Sequence, residues 1–290
     1  MKFSICLPSW NNLDYLKLCL HSIKLNSKYN HDINVHLNEA KDGSLEYLKE
    51  IGIKYNHSNN NLGLCKGTNS AVSLSETSYI IYTHDDMYFL PNWDVFLEDE
   101  VKKTKNNFYY FSGTMIGPLG YGLPRVDFNC GLTPRDFDEK KLLSEYKGIK
   151  FFDHQGSHWA PHLIHKSMWD KIGGFSEEFD PGFASDTDLN MKLWKIGVRN
   201  FKGIDNFRVY HFGSISLRKK KELIRNKGNR FFLQKWGISS DLFIKHYLHT
   251  GDLYNGLLSD RPKLSFGYIA EYIKCKIKFS FLKLFCFILK

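Results

Sequence analysis

The chain has 290 residues, 42% of them hydrophobic and 24% charged, without a long low-complexity tract. This is a globular composition with enough length for one large core plus an appendage, and it excludes a disordered chain. Net charge is +9, and the excess is local: Arg218 to Lys235 holds Arg218, Lys219, Lys220, Lys221, Arg225, Lys227, Arg230 and Lys235 against Glu222 alone, and a second excess follows Arg261. Localised positive charge points to an anionic partner, whether phosphate, a membrane surface or nucleic acid.

Phe3 to Pro8 is a short apolar run closed by Pro8-Ser-Trp-Asn-Asn12, which predicts a buried strand. Leu13 to Leu25 follows with helical spacing at Leu16, Leu20 and Ile23. Ile33 to Leu37 is a second strand, stopped by Asn38, Glu39 and the turn Asp42-Gly43, and Leu45 to Ile51 is a short helix. Ile53 to Asn56 is a third strand, Lys66 to Leu74 a helix and Tyr79 to Thr83 a fourth strand. This alternation is the pattern of βαβ units and a mostly parallel sheet.

Beyond Asp86 the pattern is mixed. A helix is expected over Trp93 to Lys103 and a strand over Phe108 to Met115. Gly117 to Lys150 is polar and rich in Gly and Pro, so a mobile loop insertion is expected there. Strand-like stretches lie in Phe151 to Ile164, short helices in Lys166 to Ile172 and Asp186 to Ile196, and a last strand in Phe207 to His211. Arg218 to Trp236 reads as a basic helix. Ile273 to Phe281 alternates apolar residues with lysines at strand period, yet helix formers dominate it, so both readings stand. Phe279 to Leu289 is far shorter than the roughly 20 apolar residues that span a bilayer.

In open α/β sheets ligands sit at the carboxyl ends of strands. Polar residues collect there: Ser9 to Asn12, Asn38 and Glu39, Ser58 to Asn61, and His84 to Asp86. The last group is the most pointed, because the apolar run Tyr79-Ile-Ile-Tyr-Thr stops on His84-Asp-Asp86. Adjacent carboxylates repel and are costly to desolvate without a positive partner. A divalent cation serves, and such a cation usually accompanies a phosphate-bearing substrate.

Several ordered segments resemble glycosyltransferases of family 2, which have the GT-A fold and invert the anomeric centre. They are Phe3-Ser-Ile-Cys-Leu-Pro-Ser-Trp-Asn-Asn12, Asn61-Leu-Gly-Leu-Cys-Lys-Gly-Thr-Asn69, His84-Asp-Asp86 in place of D-x-D, Gly173-Gly-Phe-Ser-Glu-Glu-Phe179 with Asp186-Thr-Asp-Leu189, His211-Phe-Gly-Ser214, and Asn229-Arg-Phe-Phe-Leu-Gln-Lys-Trp236. The resemblance covers residues 1 to about 237. It implies an α/β GT-A domain over 1–215, with a nucleotide-sugar half at 1–90 and an acceptor half at 91–215, followed by a basic and apolar extension at 216–290. It departs from the family pattern at His84, where an aspartate is usual, and at Ser185, where a glutamate is usual.

The implied activity is a metal-assisted hexosyl transfer from a nucleotide-diphosphate sugar, UDP-linked first, to a hydroxyl acceptor on a glycan or lipid-linked chain. Asp86 and His211 are implied ligands of Mn²⁺ or Mg²⁺, with His84 either a third ligand or a support. Asp85 is expected on the ribose or donor sugar, and Pro8, Ser9, Asn11, Asn38, Glu39, Gly63, Lys66 and Asn69 around the rest of the donor. Asp186 is the implied general base, kept ionised by a helix N-terminus. His158, Trp159 and Asp188 are implied on the acceptor side, and Arg218 to Lys221 either closes over the diphosphate or forms a solvated helix face.

The alternative is a catalytically inactive nucleotide-sugar-binding or scaffolding protein of the same fold, motivated by His84 and Ser185. Nucleic-acid binding rests on net charge alone and is not expected. The tail's alternation of Lys with Ile and Phe fits peripheral contact with an anionic membrane. The six cysteines show no metal-ligand spacing and no secretory signal precedes the first strand, so reduced thiols in the cytoplasm are expected.

Overall fold

The computed structural model describes residues 1–118, 125–156, 159–213 and 221–288, with 221–226 and 285–288 described by backbone alone. The first half follows the expected alternation: β1 (Ser4–Trp10), α1 (Leu13–Asn26), β2 (Asp32–Asn38), α2 (Ser44–Glu50), β3 (Lys54–Ser58), α3 (Leu64–Val72) and β4 (Tyr79–Tyr82). β1 sits between β2 and β4, β3 lies outside β2, and all of these pairings are parallel. Ile5 and Leu7 of β1 join Leu16, Leu20 and Ile23 of α1 and Val35 and Leu37 of β2 in the core. The apolar spacing of both element types therefore buries one shared layer.

The second half holds β5 (Met87–Phe89), α4 (Trp93–Lys102), β6 (Tyr109–Gly117), β7 (Arg125–Asp127), α5 (Glu139–Glu145), β8 (His154–Gln155), β9 (His162–His165), α6 (Lys166–Ile172), α7 (Ser185–Lys195), β10 (Asn200–His211), α8 (Lys221–Trp236), α9 (Ser240–Phe243) and α10 (Phe266–Ile288). The sheet runs β3-β2-β1-β4-β9-β6-β10-β5, with β7 beside β6 and β8 beside β10. β9 is antiparallel to both β4 and β6, so the β1–β4 part of the sheet is parallel and the rest is mixed.

One expectation changes here and one open reading closes. Gly117 to Lys150 is not simply a loop: among its described residues it contributes β7 and α5. Cys130, Leu142 and Tyr146 from this insertion close a second apolar cluster with Tyr88, Leu90, Ile116, Tyr210 and Phe212. Ile273 to Phe281 is helical despite its strand-like alternation. Tyr268 and Cys275 are buried on one side of α10, and Tyr272, Phe279 and Leu282 pack against the main core. The extension after 216 also shares that core, because Phe232, Leu233, Ile238, Leu242, Phe243 and Leu248 belong to it. The composition boundary at 216 is thus not a boundary between cores. No helix among the described residues is long and apolar enough to cross a membrane.

Candidate functional site

A pocket opens at the carboxyl ends of the parallel strands, lined by Pro8, Ser9, Trp10, Asn12, Tyr15, Asn38, Asn61, Gly63, Leu64, His84, Asp85, Asp86 and Pro181. Sequence-expected donor residues from four separate segments meet here: Pro8 and Ser9, Asn38, Gly63, and Asp85. The parallel strand order forces this meeting, since β1, β2 and β4 all end on one edge.

Ser9 Oγ donates to Asp85 Oδ2 at 2.7 Å, joining the ends of β1 and β4. Burial and the charge of neighbouring Asp86 push the Asp85 carboxyl up to about 7, opposed by hydrogen bonds from Ser9 and Asn12. Asn38 is buried, and its Oδ1 accepts the Leu62 N–H at 2.8 Å, so it shapes the Asn61–Gly63 turn from beneath. Glu39 Oε2 accepts from Trp10 Nε1 and Asn11 Nδ2, both at 3.0 Å, and these bonds hold its carboxyl below the usual range. Neither Asn11 nor Glu39 is among the pocket-lining residues; their bonds tie the end of β1 to the end of β2 beside the lining residues Trp10 and Asn38.

His84, Asp86 and His211 form a compact group whose ligand-type atoms all lie within 4.8 Å of one another. The pairing of β10 with β5 explains how His211 arrives. His211 stands opposite Met87, one residue from Asp86, and its Nε2 lies 3.2 Å from Asp86 Oδ1. That Nε2 is buried and makes no hydrogen bond among the described residues. His84 Nδ1 lies 3.9 Å from the same oxygen, and its Nε2 meets the Tyr82 hydroxyl at 2.8 Å. With the ring proton on Nε2, donated to Tyr82, Nδ1 keeps its lone pair toward Asp86. Burial pulls the His84 imidazole down to about 4, so it is neutral near pH 7. Two imidazoles and a carboxylate fit a first-row divalent cation.

One neighbour opposes that cation. Arg125 Nη2 lies 2.6 Å from His211 Nδ1, and guanidinium only donates, so Nδ1 accepts there. A cation on Nε2 requires the ring proton on Nδ1, the position Arg125 faces. Metal binding at His211 therefore entails displacement of Arg125. Sequence reading missed Arg125, which sits in the insertion with no motif around it.

Asp186 lies in the first turn of α7, whose N-cap is Ala184 in a left-handed conformation. It is not the cap itself. Its Oδ1 is buried with no hydrogen-bond partner among the described residues, and burial pushes its carboxyl up to about 7. The helix N-terminus was expected to keep Asp186 acidic; desolvation outweighs it. The Tyr82 and Tyr110 hydroxyls are raised first by their own burial and then by the Asp186 charge, which places the three groups together. Tyr110 also meets His162 Nδ1 at 2.8 Å, and His162 is fully buried and pulled down to about 3 by its burial. Tyr82 thus feels the Asp186 charge while its hydroxyl is bonded to His84. Strand periodicity marks Tyr82 and Tyr110 only as core residues, so they too escaped the sequence reading.

Other expected residues belong to the scaffold. Asn69 exchanges two 2.9 Å hydrogen bonds with the Phe175 backbone, leaving its amide committed to the turn after α6. Asp188 is fully buried, and accepts from Ser176 Oγ at 2.6 Å and Trp236 Nε1 at 2.7 Å while Lys235 Nζ lies 3.0 Å away. It anchors α8 to α7 instead of facing an acceptor. Gly63 has φ of +91°, and a Cβ there would overlap the Asp180 carboxylate, which accepts the Cys65 N–H at 2.7 Å and the Lys66 N–H at 3.3 Å. The close approach at Gly63 is therefore by Asp180. Lys66 extends to within 3.8 Å of Glu177 and is not among the pocket-lining residues. Trp159 is partly buried beside the main core. His158 and the basic run Arg218 to Lys220 lie outside the described residues, and of Lys221 only the backbone is described.

A family model described as glycosyl transferase family 2 matches residues 4–159, more than half of the chain. No curated protein sequence matches significantly. Among solved structures, S. aureus TarS 1–349 in complex with UDP superposes with a TM-score of 0.55 at 13% identity, covering 83% of this chain and 73% of that one. A second crystal structure of S. aureus TarS 1–349 gives 0.53 at 17% identity, covering 80% and 72%. GalNAc-T7 with UDP, GalNAc and Mn²⁺ gives 0.55 at 17% identity, covering 73% and 44%. At these identities the likeness is one of fold.

Proposed function

Since the chain belongs to glycosyl transferase family 2, we propose that it moves a sugar from a nucleoside-diphosphate donor to a hydroxyl acceptor in glycan synthesis, with inversion. The observation that carries this reading is the meeting of the pocket at the strand ends with His84, Asp86 and His211, together with a carboxyl at Asp186 whose charge is felt by Tyr82, the hydrogen-bond partner of His84. UDP is the first leaving group to test, because TarS and GalNAc-T7 of similar fold hold UDP in their crystal structures.

Pro8, Ser9 and Asn38 border the nucleoside, and Asp85, steered by Ser9 Oγ, faces the ribose or donor sugar. Asp86, His211 and His84 would hold Mn²⁺ or Mg²⁺. Such a cation, when bound, neutralises charge developing on the leaving diphosphate. Asp186 takes the proton from the attacking acceptor hydroxyl. Its pKa near 7 suits the task, because a base works best when its affinity for the proton matches the working pH. Inversion follows from a single attack opposite the leaving group, with no protein nucleophile in between. Glycan and lipid-linked acceptors both carry the required hydroxyl.

Nucleotide release with a panel of UDP-, GDP- and dTDP-sugars and Mn²⁺ tests the reading. Turnover with one donor that collapses in Asp86→Ala is the expected result. Absence of turnover with every donor, together with tight nucleotide binding, would replace it by the inactive-binder reading.

A further inference from the structure

We propose that α10 docks the protein on an anionic membrane surface, lying in the plane of the interface. The helix has two opposed faces. One is held by the protein, through Tyr268, Cys275, Tyr272, Phe279 and Leu282. The other carries Phe266, Ile269, Ile273, Ile277, Phe281 and Leu284, spaced three or four residues apart along one stripe. These six side chains are exposed by between 45% and 89%, an unusual concentration for a surface that faces only water.

Charge decides what covers the stripe. Lys274 and Lys278 flank it on one side and Lys276 and Lys283 on the other, all exposed. The Lys276 and Lys283 ammonium groups lie over the Phe279 ring, so they are held beside the stripe. The one acidic residue of α10, Glu271, is already engaged by Lys245 at 2.6 Å and His246 at 3.0 Å. A second copy of this chain laid stripe to stripe would set lysines against lysines with no carboxylate between them. Anionic lipid headgroups supply the missing negative charge on both flanks, while the acyl boundary receives the isoleucines and phenylalanines. The helix is not apolar enough to cross a bilayer, which suits an interfacial position. This proposal stands apart from the donor chemistry.

The test is co-sedimentation of the full-length protein with vesicles of phosphatidylglycerol and phosphatidylcholine, against vesicles of phosphatidylcholine alone. Binding is expected to anionic vesicles only. It is expected to weaken about tenfold or more in Ile273→Ser/Ile277→Ser/Phe281→Ser, and to fall with rising salt in wild type. Lys274→Gln/Lys278→Gln is a second variant that leaves the apolar stripe intact and is expected to lose the lipid selectivity. Unchanged melting temperature in both variants separates lost docking from lost fold. No binding by wild type, binding untouched by both variants, or a wild-type dimer that the triple variant dissociates each overturns the proposal, the last in favour of a second copy.

Discussion

Asp186→Asn makes the proposed base role and the burial of this side chain testable together. The amide keeps the shape and removes the charge. In the folded protein the carboxyl is pushed up from an ordinary 3.8 to about 7 by burial. The folded state therefore binds this proton more tightly than the unfolded chain. At low pH both states are protonated and the site costs nothing. As pH rises through the unfolded value the unfolded chain ionises first, so wild-type stability falls until about pH 7 and stays level above it. A shift of roughly three pH units corresponds to about 4 kcal/mol, and partial exposure of the residue with local relaxation lowers the expected gain for Asn to about 2 kcal/mol. At roughly 2–4 °C per kcal/mol, the variant should melt about 4 °C or more above wild type at pH 8, with a smaller gap at pH 5. Turnover should drop by about 10²- to 10⁴-fold, the usual worth of a general base. Wild-type kcat/KM should fall as pH drops below about 7, where Asp186 takes up its proton. Thermal unfolding at the two pH values and a nucleotide-release assay measure all three. A variant no more stable than wild type at pH 8, or one that keeps its turnover, refutes the argument.

Arg125→Met removes the donor facing His211 Nδ1 and should tighten Mn²⁺ binding measured by calorimetry; equal or weaker affinity would show that Arg125 does not compete with a cation there. Asp188→Ala strips the buried acceptor from Trp236 and Lys235, and should cost about 2–4 kcal/mol in urea unfolding with the donor KM little changed. A large KM rise with stability intact would restore an acceptor- or donor-facing role. Gly63→Ala forces a side chain against Asp180 at positive φ and should cost about 1–3 kcal/mol while weakening nucleotide binding, so a neutral result in both assays counts against the tight Gly63–Asp180 packing.

The opening βαβ run was legible in the sequence because apolar spacing in β1, α1 and β2 reports burial directly, residue by residue. The pocket's edge was legible for the same reason: in parallel strands, the polar stop of each apolar run is also the shared ligand edge. Asp86 and Asp186 were marked by their segments' likeness to a family pattern. What only the tertiary structure decided lies in long-range pairing and in the balance of burial against charge. The antiparallel β5–β10 register brings His211 beside Asp86 across more than a hundred positions, and β5 is too short to show any period. Arg125 reaches His211 from an insertion that looked like loop, because its apolar residues find their partners only in the second cluster. Asn69 and Asp188 sit in family-like motifs, yet their polar atoms are satisfied within the scaffold. α10 has strand-like alternation, but its helical form gives one face to the core and leaves the other bare. The sign of the Asp186 shift was reversed as well, because a helix end is visible in a sequence and the desolvation that outweighs it is not.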